Sequence, residues 1–429
     1  CAFESHDIIG CKVLVKDSNT NIPNDCSDFF RICQDDSWNA VIYNQLLKEE
    51  WQDDLKIENI RKKDNQTQQP NQANGLIRPW LGRFKRKVLS TYNKYRHLFH
   101  DSEKYFFFKT YLPFAIEDEL LQRLGQNQKF WETPSIPNVE ANMGMRKWTI
   151  DKYNGFDQFS NIIGRMISLH IPTAYLEGYN SLVNFIEDLT WPKIPKCIFT
   201  SNGIQSLDLM KAWTAQKVEN GSRLIIGQHG GHYGIGLWSF IEKHEISICD
   251  RYLSWGWSDP DQPKVHPVGQ IKMVKPLGVD HQKETGLLLV TNANPRYSFQ
   301  IFSGTQSSQW LDYLDDQFQF VESLPKGLQD LLTVRLYFHD YAWEQEKRWN
   351  GRFSNIALDL GKKNINELIA KSRLYVSTYN AATYLRSFTM NIPTVIFWNP
   401  KHWEIRDATI PYFDELKQVG IFHETPESA

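Results

Sequence analysis

The sequence predicts an α/β protein with two Rossmann-like domains facing a cleft and a helical N-terminal region. Three observations carry this. From about Phe156 short apolar segments of strand length alternate with helical ones, and the same rhythm returns after Gly286. In both halves, strands run into turns rich in glycine, serine, threonine and asparagine. In parallel sheets such turns lie at the carboxyl ends of strands, where ligands gather. The crossing falls within residues 273–282, giving domains 1–275 and 276–429.

In chain order, residues 1–75 read as irregular, and 61–75 (RKKDNQTQQPNQANG) as a flexible polar loop without apolar period. From Ile77 to about Gly125 the pattern is helical: Leu81, Phe84, Val88 and Leu89 recur at helical spacing, as do Ile116, Leu120, Leu121 and Leu124. Residues 131–137 are a loop. Helices are expected at 159–168 and 181–189, flanking a short strand at 174–176. A buried strand at 197–200 ends in Ser201-Asn202-Gly203, and an amphipathic helix at 207–217 carries Asp208 on its exposed side. The strand 223–226 feeds a glycine loop, and 252–257 reads as the last strand of the first domain, followed by His266-Pro267-Val268-Gly269 after a polar loop. The second domain has strands at 286–291, 333–338, 373–377 and 394–398, with helices at 309–319, 365–370 and 382–388.

Composition excludes several classes. The 48 Lys+Arg against 50 Asp+Glu leave a formal charge of -2, so no global field favours nucleic acid. Hydrophobic residues make up 41%, too many for disorder, and no apolar run is long enough to span a bilayer. Arg83, Lys85, Arg86 and Lys87 beside Pro79-Trp80-Leu81 fit a solvated helix face, a peripheral contact with an anionic inner-membrane surface, or a contact with a charged glycan. Six scattered cysteines form neither a disulfide framework nor a CxxC zinc site, so a reducing cytoplasm is expected. The chain begins at Cys1 with no charged-then-apolar leader and reads as missing its true start.

The most informative stretch is Gly227-Gln228-His229-Gly230-Gly231-His232-Tyr233-Gly234, directly after the apolar Leu224-Ile225-Ile226. A strand breaking into glycines lets the backbone approach a ligand, and a histidine there can exchange a proton near neutral pH. The plainer alternative is a chain reversal with surface histidines. A second such turn is Ser377-Thr378-Tyr379-Asn380-Ala381-Ala382-Thr383, where helix N–H groups and hydroxyls can hold a phosphate without a Walker lysine. Its alternative is an ordinary Ser/Thr/Asn helix cap. Arg335, His339, Asp340, Arg348 and Arg352 either balance a phosphate or carboxylate, or pair among themselves. His232, His244 and Glu245 lack HExxH spacing, so no metal is expected.

The segments TSNGIQSLDLMKAWTAQKVENGSRLIIGQHGGHYGIG, EKHEISICDRYLSWGW, STYNAATYLRSFTMNIPTVIFWNP and FDELKQVGIFHETPESA resemble a family of transferases encoded in bacterial O-antigen and surface-polysaccharide clusters, from roughly residue 75 to the end. The architecture of that family is similar to the two-domain GT-B glycosyltransferases, including those using CMP-activated 3-deoxy-octulosonic acid (Kdo). The resemblance implies a nucleotide-sugar donor, foremost a CMP-activated acidic sugar, held by the C-terminal domain. It also implies a glycan or lipid-linked glycan acceptor on the N-terminal side, and no further cofactor. It places His229, Gly230 and Gly231 in the central motif, Asn202 in TSN, Glu177 in YLEG, and Ser377, Thr378 and Thr383 in the C-terminal motif. Asn380 and Arg335 complete the expected donor-binding set. Arg386 stands where an acidic residue is expected. Glycosyl transfer needs a proton acceptor and charge to stabilise the leaving phosphate, roles open to His229, Glu177 and Asp208, with either carboxylate a nucleophile if configuration is retained.

Two other readings compete: a polyol-phosphate transferase of teichoic-acid-like polymer synthesis, and a non-catalytic glycan-binding or scaffold protein. The transferase reading requires the loop after Ile226 and the turn after Val376 to face one another.

Overall fold

Short apolar strands joined through helices favour parallel pairing, and that connectivity sets the architecture. The computed structural model describes residues 10–14, 22–51, 56–60, 104–150, 157–272 and 286–429. The polar stretch 61–75, the basic cluster at 83–87 and the crossing at 273–282 lie outside the described residues.

The first elements are β1 (Gly10–Leu14), α1 (Cys26–Ile32), α2 (Asp36–Trp51) and β2 (Lys56–Ile60), with β1 and β2 paired in parallel. The described residues among the first sixty are therefore not irregular. Asp25 starts α1 by accepting the Asp28 N–H, a cap the apolar-period reading overlooks.

Next come β3 (Tyr105–Phe107), α3 (Phe114–Arg123), α4 (Gln158–His170), α5 (Tyr179–Glu187), β4 (Cys197–Thr200), α6 (Asp208–Glu219), β5 (Arg223–Gly227), α7 (Phe240–Ile248), β6 (Arg251–Ser254) and β7 (Val265–Pro267). These strands form a five-stranded sheet in the order β3-β4-β5-β6-β7, parallel at β5–β6 and β6–β7. Three expectations are corrected here. The aromatic run around Phe106 is a strand rather than part of a long helix, since stacked aromatics favour a pleated surface. Thr173–Tyr175 is a 3-10 turn following Pro172. The sheet does not end at β6, because β7 pairs beyond it.

The C-terminal elements are β8 (Leu287–Val290), α8 (Gln309–Ser323), α9 (Lys326–Gln329), β9 (Leu332–Arg335), α10 (Gln345–Arg352), β10 (Ala357–Asp359), α11 (Ile365–Ala370), β11 (Leu374–Ser377), α12 (Ala382–Thr389), β12 (Thr394–Phe397), α13 (Ile410–Gln418) and β13 (Phe422–His423). The six strands are parallel throughout in the order β10-β9-β8-β11-β12-β13. Counted from β8 this is 3-2-1-4-5-6, the doubly wound Rossmann order, whose direction reverses between β8 and β11. All four residues of β8 are buried, as a central parallel strand covered on both faces requires.

The chain divides into two compact units: residues 1–108, 121–198 and 206–223, and residues 109–120, 199–205 and 224–429. Both the glycine-histidine loop and the six-stranded sheet belong to the second. Among the described residues no helix is long and apolar enough to cross a membrane.

Candidate active site

The reversal point between β8 and β11 is where a doubly wound sheet opens a crevice, and Ser377 and Thr378 lie there. Both hydroxyls face inward. Thr378 donates to the Val290 carbonyl at 2.9 Å and meets the Tyr313 hydroxyl at 2.5 Å, while Ser377 donates to the Tyr379 carbonyl at 3.2 Å. These residues hold the two central strands in place. Asn380, also buried, uses its carbonyl oxygen to accept from the Tyr384 hydroxyl at 3.1 Å and leaves its amide nitrogen without a partner. Thr383, itself half-buried, has its hydroxyl oxygen buried beside Tyr375 and Tyr379.

The helix that follows is not capped in the ordinary way. Ala381 occupies the N-cap of α12 and no side chain accepts from its first turn. Its leading N–H groups therefore have no side-chain acceptor, and the helix dipole favours an anion near them.

The glycine loop meets that helix end. A Cβ on Gly231 would fall 2.3 Å from the Ala382 nitrogen and 2.5 Å from the Ala381 carbonyl carbon, so only glycine lets the backbones come this close. Gly234, with φ of +76°, likewise leaves no room, its Cβ position lying 2.4 Å from the Trp257 indole. Gln228 fixes the loop's shape from within. Its amide nitrogen donates to the carbonyls of Gly230 at 2.7 Å and Tyr233 at 3.3 Å, and its oxygen accepts from the Trp255 backbone and Trp257 indole, both at 2.8 Å. One buried side chain thus joins the QHGG and WGW segments. Beyond it, Gly234 N–H donates to Glu242 at 2.7 Å, and Glu242 pairs with Arg406, which donates to the Gly236 carbonyl at 2.9 Å.

His229 emerges from this frame with Nε2 3.0 Å from the Tyr233 hydroxyl and Nδ1 3.6 Å from Glu245 Oε1. Nδ1 and the other Glu245 oxygen are buried without hydrogen-bond partners. Burial, then the charge of Lys272, pulls the His229 imidazole down to about 4, and burial followed by Glu242 pushes the Glu245 carboxyl well up. At neutral pH the imidazole is therefore uncharged, so His229 can accept a proton but does not act as an imidazolium acid. Burial takes His232 lower still, to about 3. His229, His232, Tyr233, Ile241, Gln300 and Phe302 are among the residues lining a cavity of about 80 Å³, enough for a small group or a few waters.

Asn202 joins this neighbourhood through Tyr111, whose hydroxyl accepts from its amide at 2.7 Å and whose ring lies 6.3 Å from that of His229. Lys109 and Tyr111 hold left-handed backbone, with φ of 49° and 63°, a strain of about 1–3 kcal/mol each. Lys272 sits 4.0 Å over the Tyr111 ring and donates to the His229 carbonyl at 2.6 Å.

The other expected residues are committed elsewhere. Glu177 belongs to the first unit and receives Arg146 through both oxygens at 2.7 Å, with the Asn142 N–H at 2.8 Å. Burial works to raise its carboxyl, but these hydrogen bonds outweigh it and hold the group below its ordinary value. Asp208, expected on an exposed helix side, is 3% exposed. It opens α6 rather than lying within it, and it accepts from the Cys26 N–H at 2.6 Å, the Tyr175 hydroxyl at 2.5 Å and Lys211 at 2.9 Å. Arg335 is bound to Asp359 and donates to the Lys363 carbonyl at 2.9 Å. Asp340 accepts the N–H groups of Glu344 and Gln345 at the start of α10, and Arg352 pairs with Glu322, so this cluster does not pair within itself. Among the described residues, no group of three His, Cys, Asp or Glu side chains is placed to hold a metal ion.

Sequence reasoning missed Gln228, Tyr111 and Lys272. Gln228 was signalled by the two motifs it joins, whereas Lys272 is an isolated lysine whose setting is purely tertiary.

Three comparisons bear on identity. A family profile described as LIC12162 family transferase matches residues 1–429. No curated protein sequence matches significantly. Among solved structures, the pneumococcal O-GlcNAc transferase GtfA in complex with UDP and GlcNAc is 11% identical with a TM-score of 0.34, covering 51% of this chain. This chain spans only 44% of GtfA. MurG of Acinetobacter baumannii is 10% identical with a TM-score of 0.35, covering 72% of this chain and 75% of its own. WaaG, a glycosyltransferase involved in lipopolysaccharide biosynthesis, is 11% identical with a TM-score of 0.30, covering 72% and 84%. Likenesses this remote carry no weight in the assignment of chemistry.

Proposed function

The chain therefore belongs to the LIC12162 family of transferases, and we propose that it is a GT-B-type glycosyltransferase moving a sugar from a nucleotide donor to a surface-polysaccharide acceptor. The observation that carries this reading is the seating of Gly231 on the uncapped N-terminus of α12, which brings His229 to the reversal point of a Rossmann sheet. A donor phosphate faces the first-turn N–H groups of α12, with Asn380 and Thr383 beside it. His229 Nε2 leaves the Tyr233 hydroxyl to take the proton of the acceptor hydroxyl. The acceptor oxygen then bonds to the anomeric carbon as the bond from that carbon to the phosphate oxygen breaks.

Glu177 and Asp208, with every oxygen engaged, serve the architecture of the first unit in this scheme. The donor we favour is a CMP-activated acidic sugar such as Kdo, and the acceptor a glycan or lipid-linked glycan. Exposed Trp238 and Phe240 follow the glycine loop, and the Phe240 N–H donates to the carbonyl of exposed Ile301. They supply an apolar surface suited to a lipid-linked acceptor and to peripheral contact with the inner membrane from the cytoplasmic side.

A thermal-shift screen of CMP-, UDP-, GDP- and CDP-linked sugars tests the reading, since a ligand of the folded state raises the melting temperature by mass action. A CMP-linked acidic sugar is expected to give the largest rise. No rise with any of them removes the donor assignment.

A further inference from the structure

Lys272 and Arg386 are half-buried cations without a counter-ion among the described residues. Among the described residues Lys272 Nζ donates to the His229 carbonyl at 2.6 Å and faces the rings of Tyr111 at 4.0 Å and Trp255 at 5.7 Å. Arg386 donates to the side-chain oxygen of Asn366. Among the described residues neither meets a carboxylate, whereas Arg146, Lys211, Arg335 and Arg406 each do.

The two cations also act on each other. Burial, followed by the charge of Arg386, pulls Lys272 down to about 8. Both border the glycine loop: Lys272 grips the carbonyl of His229, and Arg386 lies one helical turn beyond Ala382, on whose backbone Gly231 sits. Like charges withdrawn from water without compensation destabilise the free protein, and a bound anion removes that cost.

We propose that Lys272 and Arg386 form a second anion subsite beside the helix end, so that the donor presents two acidic groups, one to α12 and one to this pair. The proposal rests on the donor reading above and narrows its substrate class. The second group is either the other phosphate of a nucleoside diphosphate or the carboxylate of an acidic sugar on a nucleoside monophosphate. The forked guanidinium of Arg386 suits both, and Lys272 adds a point charge.

Calorimetric titration of the full chain separates the cases. UDP is compared with UMP, and CMP-N-acetylneuraminate with its carboxylate methyl ester, on wild type, Lys272→Met, Lys272→Arg and Arg386→Gln. In wild type one of the two acidic ligands should bind about tenfold or more tightly than its partner. A preference for UDP identifies the second phosphate, and one for the free carboxylate identifies the acidic sugar. Lys272→Met and Arg386→Gln should each reduce the preference to below about threefold with the weaker ligand little changed, and Lys272→Arg should retain it. Without ligand, Arg386→Gln should melt at or above the wild-type temperature, since it keeps an amide for Asn366 and removes a repulsion. If wild type shows neither preference, or the variants keep it intact, the subsite is refuted while the donor reading stands. If no nucleotide binds wild type, the donor reading falls and the subsite with it.

Discussion

The carboxylate motifs of the first unit and the glycine-histidine loop of the other unit are equally polar in sequence, yet their polar atoms are used in opposite ways. Around Glu177 and Asp208 each oxygen has a donor within 2.9 Å, supplied by Arg146, Asn142, Cys26, Tyr175 and Lys211. Around His229, and among the described residues, buried atoms of the imidazole, of Glu245 and of Asn380 lack partners, Tyr111 holds a left-handed backbone, and Lys272 and Arg386 meet no carboxylate. A satisfied polar cluster rigidifies; one left incomplete keeps hydrogen-bonding capacity for a ligand or ordered water. Motif membership alone does not separate the two.

The comparison breaks most directly at His229. His229→Ala should lower glycosyl transfer by about 10²–10⁴-fold with the melting temperature preserved, measured with the best donor of the thermal screen. Unchanged transfer would move the chemistry away from the loop. The opposite signature is expected in the first unit. Arg146→Leu leaves Glu177 buried and unpaired, and urea unfolding should show a loss of about 3–5 kcal/mol. Gly231→Ala comes next. Its methyl must push the loop off Ala382, so kcat/KM should fall about 100-fold for a displacement near 1 Å, a loss that Gly327→Ala, with open space around it and no positive φ, would not reproduce. Asp208→Asn should have the smallest effect, about 1–2 kcal/mol of stability, with turnover per folded molecule within about threefold of wild type. A large loss of turnover there would return Asp208 to the chemistry.

Much of the C-terminal half was legible because each buried strand is a continuous apolar run, such as Leu287-Leu288-Leu289-Val290, ended by small polar residues. β10 and β13 were not, since three and two residues carry no measurable period. The glycine loop is legible from composition, and Gly231 packs against the backbone of Ala381 and Ala382 in the turn after Val376. Roles were harder to read. Asp208 looked solvated because its helix alternates polar and apolar residues, but its partners Cys26 and Tyr175 are distant in sequence. Ser377 and Thr378 resembled ligand hydroxyls until Val290, Tyr313 and Tyr379 took them. Lys272 and Arg386 acquire meaning only through what is missing beside them.

The pH dependence of kcat/KM for the donor and acceptor pair tests the central claim most directly. Because folding lowers the His229 pKa from 6.5 to about 4, stability itself declines as pH falls from 6.5 toward 4, so rates are normalised to the folded fraction. The account predicts activity that rises through about pH 4, as His229 becomes free to accept a proton, and falls through about pH 8, as Lys272 loses its charge. Lys272→Arg should remove the alkaline limb. An acid limb near 6.5, the value of an unperturbed histidine, or one that survives unchanged in His229→Ala, would contradict it.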